Sequence, residues 1–188
     1  MAKLFPKLVS SLAALLLLLC QFGYVACQPT LKVYSPSRNA TLPEDEETAL
    51  DDFMTTLGGG LPLSSYCSNK YRGIDCNCTY ENNAVCHVTG LDLSNRKLDG
   101  QINATALASL VFLEEIDLSN NQLHGSIPVT MGNLPSLTSL DLSNNILSGS
   151  IPLSLGSLSS LEYIDLSNNL LSGSIPLSLG SLSSLGYM

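Results

Sequence analysis

Short apolar segments recur at a nearly constant interval through the second half of the chain. Each segment has an aspartate between two aliphatic residues and a serine after them, and the aspartates are 25, 24 and 24 residues apart. This alternation predicts a short strand whose two aliphatic side chains point to one face and whose aspartate points to the other. The four segments are Leu91–Ser94, Ile116–Ser119, Leu140–Ser143 and Ile164–Ser167. Such a unit cannot bury its leucines alone, so the copies must stack.

Three other residue types return at fixed places after the strands: Asn121, Asn145 and Asn169, then Gly125, Gly149 and Gly173, then Pro128, Pro152 and Pro176. We expect the asparagine amides to hydrogen-bond backbone groups of neighbouring turns and so to form a ladder along the stack. Arg96 holds that place in the first copy, which predicts a ladder that begins at the second. The glycines indicate tight turns. The prolines begin the opposite, convex face, which we expect to be irregular or 3₁₀-helical.

A helix is predicted ahead of the repeats. Thr41 and Glu44 have the spacing of a capping box, with Pro43 in the first turn. The apolar residues behind them recur at helical spacing, with acidic residues on the other face, as Ala49, Leu50, Phe53, Met54 and Leu57. Three glycines at 58–60 end the pattern. One amphipathic helix cannot bury its apolar stripe alone, so we expect it to pack on the repeats.

The first 27 residues predict a secretory signal peptide. Lys3 and Lys7 precede an apolar run with five consecutive leucines, which is too short to cross a bilayer. Cleavage after Ala26 would place a bulky tyrosine three residues before the cut, whereas cleavage after Cys27 would place a valine there. The second site is favoured because it also leaves an even number of cysteines.

The rest of the chain divides into three parts by composition. Residues 28–42 are polar and contain prolines, and they are predicted to be a linker. Residues 43–90 are predicted to be an N-terminal cap. Residues 91–188 hold about four repeats, and a fifth begins at Leu185.

The charge of the chain is acidic and becomes more so without the leader. Removing residues 1–27 takes away two of the eight basic residues and none of the sixteen acidic ones, so the formal charge changes from −8 to −10. No lysine or arginine follows Lys97. Nucleic acids and anionic membranes need cationic contacts, so both are excluded as partners. No later segment reaches the length of a membrane span.

Four cysteines remain after the leader: Cys67, Cys76, Cys78 and Cys86. In a secreted chain we expect disulfides, for which three pairings exist. A zinc site is the alternative, but Cys-x-Cys is not its usual spacing. Pairing Cys67 with Cys76 and Cys78 with Cys86 is favoured, since it closes two short loops worth about 2–3 kcal/mol each.

The chain has three N-x-S/T sequons, at Asn39, Asn77 and Asn103. In a secreted protein such sites mark glycan acceptors on the surface. Asn77 lies between two of the cysteines, which counts against its use. Asn103 falls on a convex turn and is the strongest candidate.

The repeats resemble the plant-specific class of leucine-rich repeats, whose pattern L-x-x-L-x-L-S-x-N-x-L-x-G-x-I-P returns over residues 91–188. The run 73–83 followed by Cys86–Thr89 resembles the ectodomain start of plant receptor kinases that carry a malectin-like domain after their repeats. The resemblance implies a right-handed α/β solenoid with a short parallel sheet on its concave face and a cap of one helix and disulfides. No segment matches a malectin-like domain, a membrane span or a kinase, so the resemblance does not extend to receptor signalling.

The outward-facing aspartates are the candidate ligand-facing residues. On stacked strands they form one column with a spacing of about 4.8 Å, made of Asp92, Asp117, Asp141 and Asp165. Such a column would attract a basic peptide or a cation. The alternative is a carboxylate surface that solvent and salt screen, without a ligand.

No group of residues indicates catalysis. The chain has only two histidines, His87 and His124, and its abundant serines and aspartates occupy repeat positions. His124 stands where later repeats have serine, which indicates an ordinary surface residue. We therefore expect no enzyme, no cofactor and no metal site. The chain is predicted to be an extracellular interaction module, a truncated receptor-like ectodomain that binds a peptide, a protein or a cell-wall ligand on its concave face, with a co-receptor as a further partner. A secreted inhibitor or structural protein of the wall, resembling polygalacturonase-inhibiting proteins, and a gene fragment without function are the alternatives.

The last repeat is an unmodified copy of the one before it. Its leucines Leu179, Leu182 and Leu185 are expected to face a neighbouring turn, and no cysteine pair follows them. Terminal repeats need a polar outer face. We therefore expect this end to fray or to associate with a second copy.

Overall fold

The computed structural model describes residues 41–58, 67, 73–80 and 84–188. The expected signal peptide, the linker up to residue 40 and the sequon at Asn39 lie outside these residues. With η for a 3₁₀ helix, the elements are α1 (Glu44–Thr56), β1 (Ile74–Tyr80), β2 (Val85–Asp92), η1 (Ala106–Ser109), β3 (Glu115–Asp117), β4 (His124–Ser126), η2 (Val129–Asn133), β5 (Ser139–Asp141), β6 (Ile146–Ser150), η3 (Leu153–Ser157), β7 (Tyr163–Asp165), β8 (Leu170–Ser172) and η4 (Leu177–Ser181).

The predicted parallel sheet is present and has five strands in the order β1-β2-β3-β5-β7. β1 and β2 pair antiparallel as a hairpin, and every later pair is parallel. The inward-facing residues follow one another in register, so that Leu91 is beside Ile116, and Ile116 is beside Leu140. These side chains are almost fully buried, which confirms stacking as the source of the core.

A second parallel sheet, which the sequence pattern does not predict, runs along one side of the stack. It consists of β4, β6 and β8. Of the glycines expected in tight turns, Gly125 lies inside β4, Gly149 lies inside β6 and Gly173 directly follows β8, all with φ of about 80°. Because an L-residue rarely adopts this conformation, the strands need glycine there.

The convex face is 3₁₀-helical, as expected. Pro128, Pro152 and Pro176 are the residues directly before η2, η3 and η4. Each of these helices places one large apolar side chain in the core. The proline restricts φ at the point where the chain turns away from the second sheet.

The apolar stripe of α1 is buried against the repeats, as its spacing predicts, but the capping box is wrong. The helix begins at Glu44, with Pro43 before it and no side-chain cap. The backbone of Thr41 is engaged in the hairpin instead. Its N–H donates to the carbonyl of Ala84 at 3.1 Å, and its carbonyl accepts from the N–H of Cys86 at 3.0 Å. Because the helix begins at Glu44, the N-cap position falls on Pro43 and not on Thr41.

The carboxyl end of α1 joins the first repeat by backbone contacts. The N–H of Gly100 donates to the carbonyl of Leu57 at 3.1 Å, and the N–H of Gln101 donates to that of Thr56 at 2.9 Å. A Cβ on Gly100 would lie 2.0 Å from the oxygen of Thr56. The close approach therefore requires glycine, and the helix shares one core with the repeats.

The last repeat differs from the expectation for its leucines. Leu179 and Leu182 are buried, with Leu182 only 9% exposed, and Leu185 is half-buried. Leu179 lies in η4 and Leu182 directly follows it, and both belong to the buried core, against which Leu185 packs. The exposed apolar residues of the last repeat include Leu170, Ile175 and Leu177, and Leu177 is 93% exposed.

Candidate interaction surface

The outward-facing aspartates form the predicted column on the first sheet. Asp92 pairs with Asp117, Asp117 with Asp141, and Asp141 with Asp165 in the register of adjacent parallel strands. Asp92 is exposed and the other three are half-buried. Neighbouring strands lie about 4.8 Å apart, so four carboxylates follow one another along the sheet.

These carboxylates also have a local structural role that the sequence analysis did not assign. Asp117 Oδ1 accepts a hydrogen bond from the N–H of Ser119 at 2.8 Å. The other three aspartates accept the same bond from the serine two residues on, at 3.2, 2.9 and 2.8 Å. An aspartate commonly binds the backbone in this way where a turn begins. One oxygen of each carboxylate therefore fixes the end of its strand.

A second column lies beside the first. The residues before the inward-facing aliphatics pair in register, from Glu115 to Ser139 and from Ser139 to Tyr163. A groove of about 220 Å³ runs between the two columns. Its lining includes five carboxylates and no basic side chain: Asp75, Asp92, Glu115, Asp117 and Asp141. The lining of this groove is therefore strongly negative.

Two tyrosines continue the second column. Tyr163 pairs with Tyr187, and their rings stack at 4.8 Å with an angle of 8° between the planes. Burial raises the pKa of the Tyr163 hydroxyl above its ordinary value, and Asp141 and Asp165 raise it further. The hydroxyl thus stays neutral and able to donate a hydrogen bond beside the carboxylates.

The asparagine ladder holds this surface in place and is confirmed by the structure. Asn145 is 6% exposed, and its Oδ1 accepts the N–H of Leu123 at 3.0 Å. Its Nδ2 donates to the carbonyl of Leu118 in the turn before and to two carbonyls in its own turn. Asn121 and Asn169 make equivalent bonds. Asn121 reaches back to the turn that carries Arg96, which is where the ladder begins.

A second asparagine in each repeat has a role that the sequence analysis missed. Four asparagines have φ between 53° and 57°, in the left-handed region: Asn95, Asn120, Asn144 and Asn168. Asparagine tolerates this conformation better than other residues with a side chain. In the three repeats that have two consecutive asparagines, the first adopts the positive φ that bends the chain and the second hydrogen-bonds the neighbouring turn.

Family models agree with this geometry. A model described as leucine rich repeat matches residues 86–147, and one described as leucine rich repeats in two copies matches residues 135–179. A chain of the BIR3–SERK2 complex from Arabidopsis thaliana is 34% identical, with a TM-score of 0.64, over 75% of this chain and 78% of that one.

The chain belongs to the leucine-rich-repeat family.

The relatives of this leucine-rich-repeat chain are plant receptor kinases. It is 37% identical over 111 residues to a probable leucine-rich repeat receptor-like serine/threonine-protein kinase of Arabidopsis thaliana, a match that covers 50% of this chain and 10% of the relative. It is 29% identical to PEPR1 in the PEPR1–AtPEP1 structure, with a TM-score of 0.64, over 76% of this chain and 20% of that one. The chain thus spans about a tenth of the length of its first relative. The malectin-like subgroup stays a prediction.

The cap of this leucine-rich-repeat chain carries two disulfides. The structure joins Cys67 to Cys76 and Cys78 to Cys86, the pairing favoured from the sequence. The second bridge links β1 to β2 across the hairpin, and the first ties residue 67 to β1. Both strengthen the end of the sheet on which the first repeat stacks.

A buried carboxylate joins α1 to the hairpin of the cap, which corrects one expectation from the sequence. Glu46 was expected on the exposed acidic face of α1 but is 3% exposed. Its Oε2 accepts the N–H of Val88 at 2.9 Å, and its Oε1 bonds Nδ1 of His87. The His87 ring contacts Tyr80 and Phe112, with centroids 4.6 and 4.3 Å away. No local pattern signals the contact between Glu46 and His87, because 41 residues separate the two side chains.

The remaining histidine and the acidic side chains that the structure describes do not form a further site. His124 is exposed, and its Nδ1 lies 3.4 Å from Nε2 of Gln101, so it remains a surface residue. Among the described residues, no three histidine, cysteine or acidic side chains are grouped so as to hold a metal ion. Within the same ranges, no helix has the length and apolar character that a bilayer crossing requires.

Proposed function

We propose that this chain is an extracellular interaction module that binds a peptide or protein ligand on its concave face. The groove between the aspartate column and the Glu115–Tyr163 column carries the proposal. Its side chains stand on strands that the asparagine ladder fixes, so the surface is rigid before a ligand arrives. A preformed surface loses less conformational entropy on binding.

The charge of the groove selects the chemistry of the ligand. Five carboxylates line it and no cation balances them within the lining. A lysine or arginine of a bound peptide would replace the repulsion between neighbouring aspartates with attraction. The stacked rings of Tyr163 and Tyr187 add an aromatic surface that suits a guanidinium group. The favoured ligand is therefore a peptide segment with basic residues.

Two comparisons support a receptor-like role. PEPR1 was solved with AtPEP1, and BIR3 was solved in complex with SERK2. By analogy, this chain would bind a peptide on one part of its surface and a co-receptor on another. The disulfides, the predicted leader and the receptor relatives support an extracellular location. A wall-associated inhibitor or structural protein is the second candidate, since stacked tyrosines beside carboxylates also suit sugars.

A binding experiment with charge-neutral variants tests the proposal. The double variant Asp117→Asn, Asp141→Asn keeps the Oδ1 acceptors that bond Ser119 and Ser143, so it removes charge while preserving the turns. The control is Asp45→Asn, Glu47→Gln, which removes the same charge from the exposed face of α1. The probes are two synthetic peptide pools, one with lysine and arginine and one with glutamine in their place.

We expect the wild type and the control to bind the basic pool, and the concave variant to bind about tenfold more weakly. Raising the salt concentration should weaken binding, because the groove is open to solvent. Equal binding by the concave variant would refute the concave site. Binding to neither pool, with retention on wall polysaccharides, would instead favour the second candidate.

A further inference from the structure

The two sequons in the described part of the chain stand in different surroundings. Asn103 and Thr105 are exposed, whereas Ala104 between them is buried. Asn103 Oδ1 accepts the N–H of Thr105 at 3.3 Å. Among the described residues, no hydrogen bond engages Asn103 Nδ2, which leaves the reactive nitrogen accessible.

Asn77 is held inside the cap. It is half-buried in β1 and pairs with His87 of β2. Its two neighbours, Cys76 and Cys78, are both in disulfides. A glycan on Asn77 would project from a paired strand between two bridged cysteines, which is less compatible with the folded cap than a glycan on the exposed Asn103.

A shallow groove lies beside the accessible sequon. It has a volume of about 650 Å³ and separates α1 from η1. Thr105 itself is part of the lining, together with Glu44, Asp45, Thr48, Ala49, Asp52, Ala106 and Ser109. The carboxylates and hydroxyls can bond sugar hydroxyls, and the alanine methyl groups can contact the apolar face of a sugar ring.

We propose that Asn103 carries an N-linked glycan, that Asn77 does not, and that the first sugars of the glycan lie in the groove between α1 and η1. Asn103 Nδ2 attacks the anomeric carbon of a lipid-linked oligosaccharide diphosphate. The C–N bond forms, the C–O bond to the diphosphate breaks, the lipid diphosphate leaves with the electron pair, and the amide proton passes to a base. The inference rests on the extracellular location in the proposed function.

The position of the glycan leaves the proposed ligand surface free. The groove between α1 and η1 shares no residue with the concave groove. A glycan there covers the exposed face of the cap helix and adds contacts between α1 and the first repeat. It therefore stabilises the cap without blocking the aspartate column.

Site mapping tests the occupancy. Protein recovered from plant cells together with their culture medium is treated with a glycan-removing amidase in heavy-oxygen water, which converts an occupied asparagine to labelled aspartate. We expect the label at Asn103 and none at Asn77. Thr105→Ala should abolish the glycan while keeping Asn103, and Asn77→Gln should leave the electrophoretic mobility unchanged. A label at Asn77, or none at Asn103, overturns the inference.

The amino terminus of the same sample separates this inference from the proposed function. An unmodified Asn103 on a protein whose leader has been cleaved overturns the glycan alone. An unmodified Asn103 on a protein that retains its leader removes the extracellular location as well.

Hydrogen exchange tests the place of the sugars. With the glycan present, amides of α1 and η1 should exchange more slowly than after its removal, while those of β5 and β7 should not change. Equal exchange in α1 would overturn the groove contact even if Asn103 is occupied.

Discussion

The cap and the repeats are stabilised by different kinds of contact. In the repeats, each turn is stabilised by copies of one device, the buried asparagine and its inward leucines. In the cap, no copy precedes the first turn, and single long-range contacts take that place: two disulfides, the Glu46–His87 bond and the helix packed on the core. Stability in the repeats is therefore distributed, whereas in the cap it depends on a few groups.

Reducing both disulfides should have the largest effect and should be confined to the cap. By closing a short loop, each bridge contributes about 2–3 kcal/mol to the free energy of unfolding. Amides of α1 and the β1–β2 hairpin should lose protection in hydrogen exchange, while those of β5 and β7 keep it. Peptide mapping without reductant should show Cys67, Cys76, Cys78 and Cys86 blocked. Simultaneous loss of protection in β5 would show that the two regions unfold as one unit.

Replacing one ladder residue should have the next largest effect. Asn145→Ala leaves the N–H of Leu123 and the carbonyl of Leu118 without their partner in a buried site, which should lower the free energy of unfolding by about 3 kcal/mol. Asn169→Ala is the matched control, because its half-buried site admits water and the loss should be smaller. Urea denaturation measures both. An equal loss would contradict the role of burial.

Removing the buried charge of the cap should have the smallest effect of the three. Glu46→Gln keeps an oxygen for the N–H of Val88 but weakens the bond to His87, so we expect a loss of about 1–2 kcal/mol in the free energy of unfolding. Glu47→Gln, one residue away and exposed, should change it by less than about 0.5 kcal/mol. If both variants unfold at the same urea concentration, the buried carboxylate does not stabilise the cap.

The repeated part could be predicted in detail because its information is local and occurs several times. The inward leucines, the aspartate column, the asparagine ladder and the convex 3₁₀ turns all follow from the period of the pattern. The second sheet was missed, since its three-to-five-residue strands carry no alternation that distinguishes them from a turn. For the paired asparagines, the sequence predicted the hydrogen bonds of the second residue but not the positive φ of the first. The pattern marks both positions but does not show which one adopts positive φ.

The sequence alone determined that the repeats stack on one another and which side chains point inward. A single repeat is too short to bury its own leucines, so neighbouring repeats must cover them. Only the tertiary structure decided how the stack begins. Thr41 forms a single bridge to Val85 of β2 rather than capping α1, and Glu46 is buried where it bonds His87 and Val88. A buried carboxylate is tolerated only where partners replace its water. Here those partners come from a hairpin about 40 residues later, so no local pattern could reveal them.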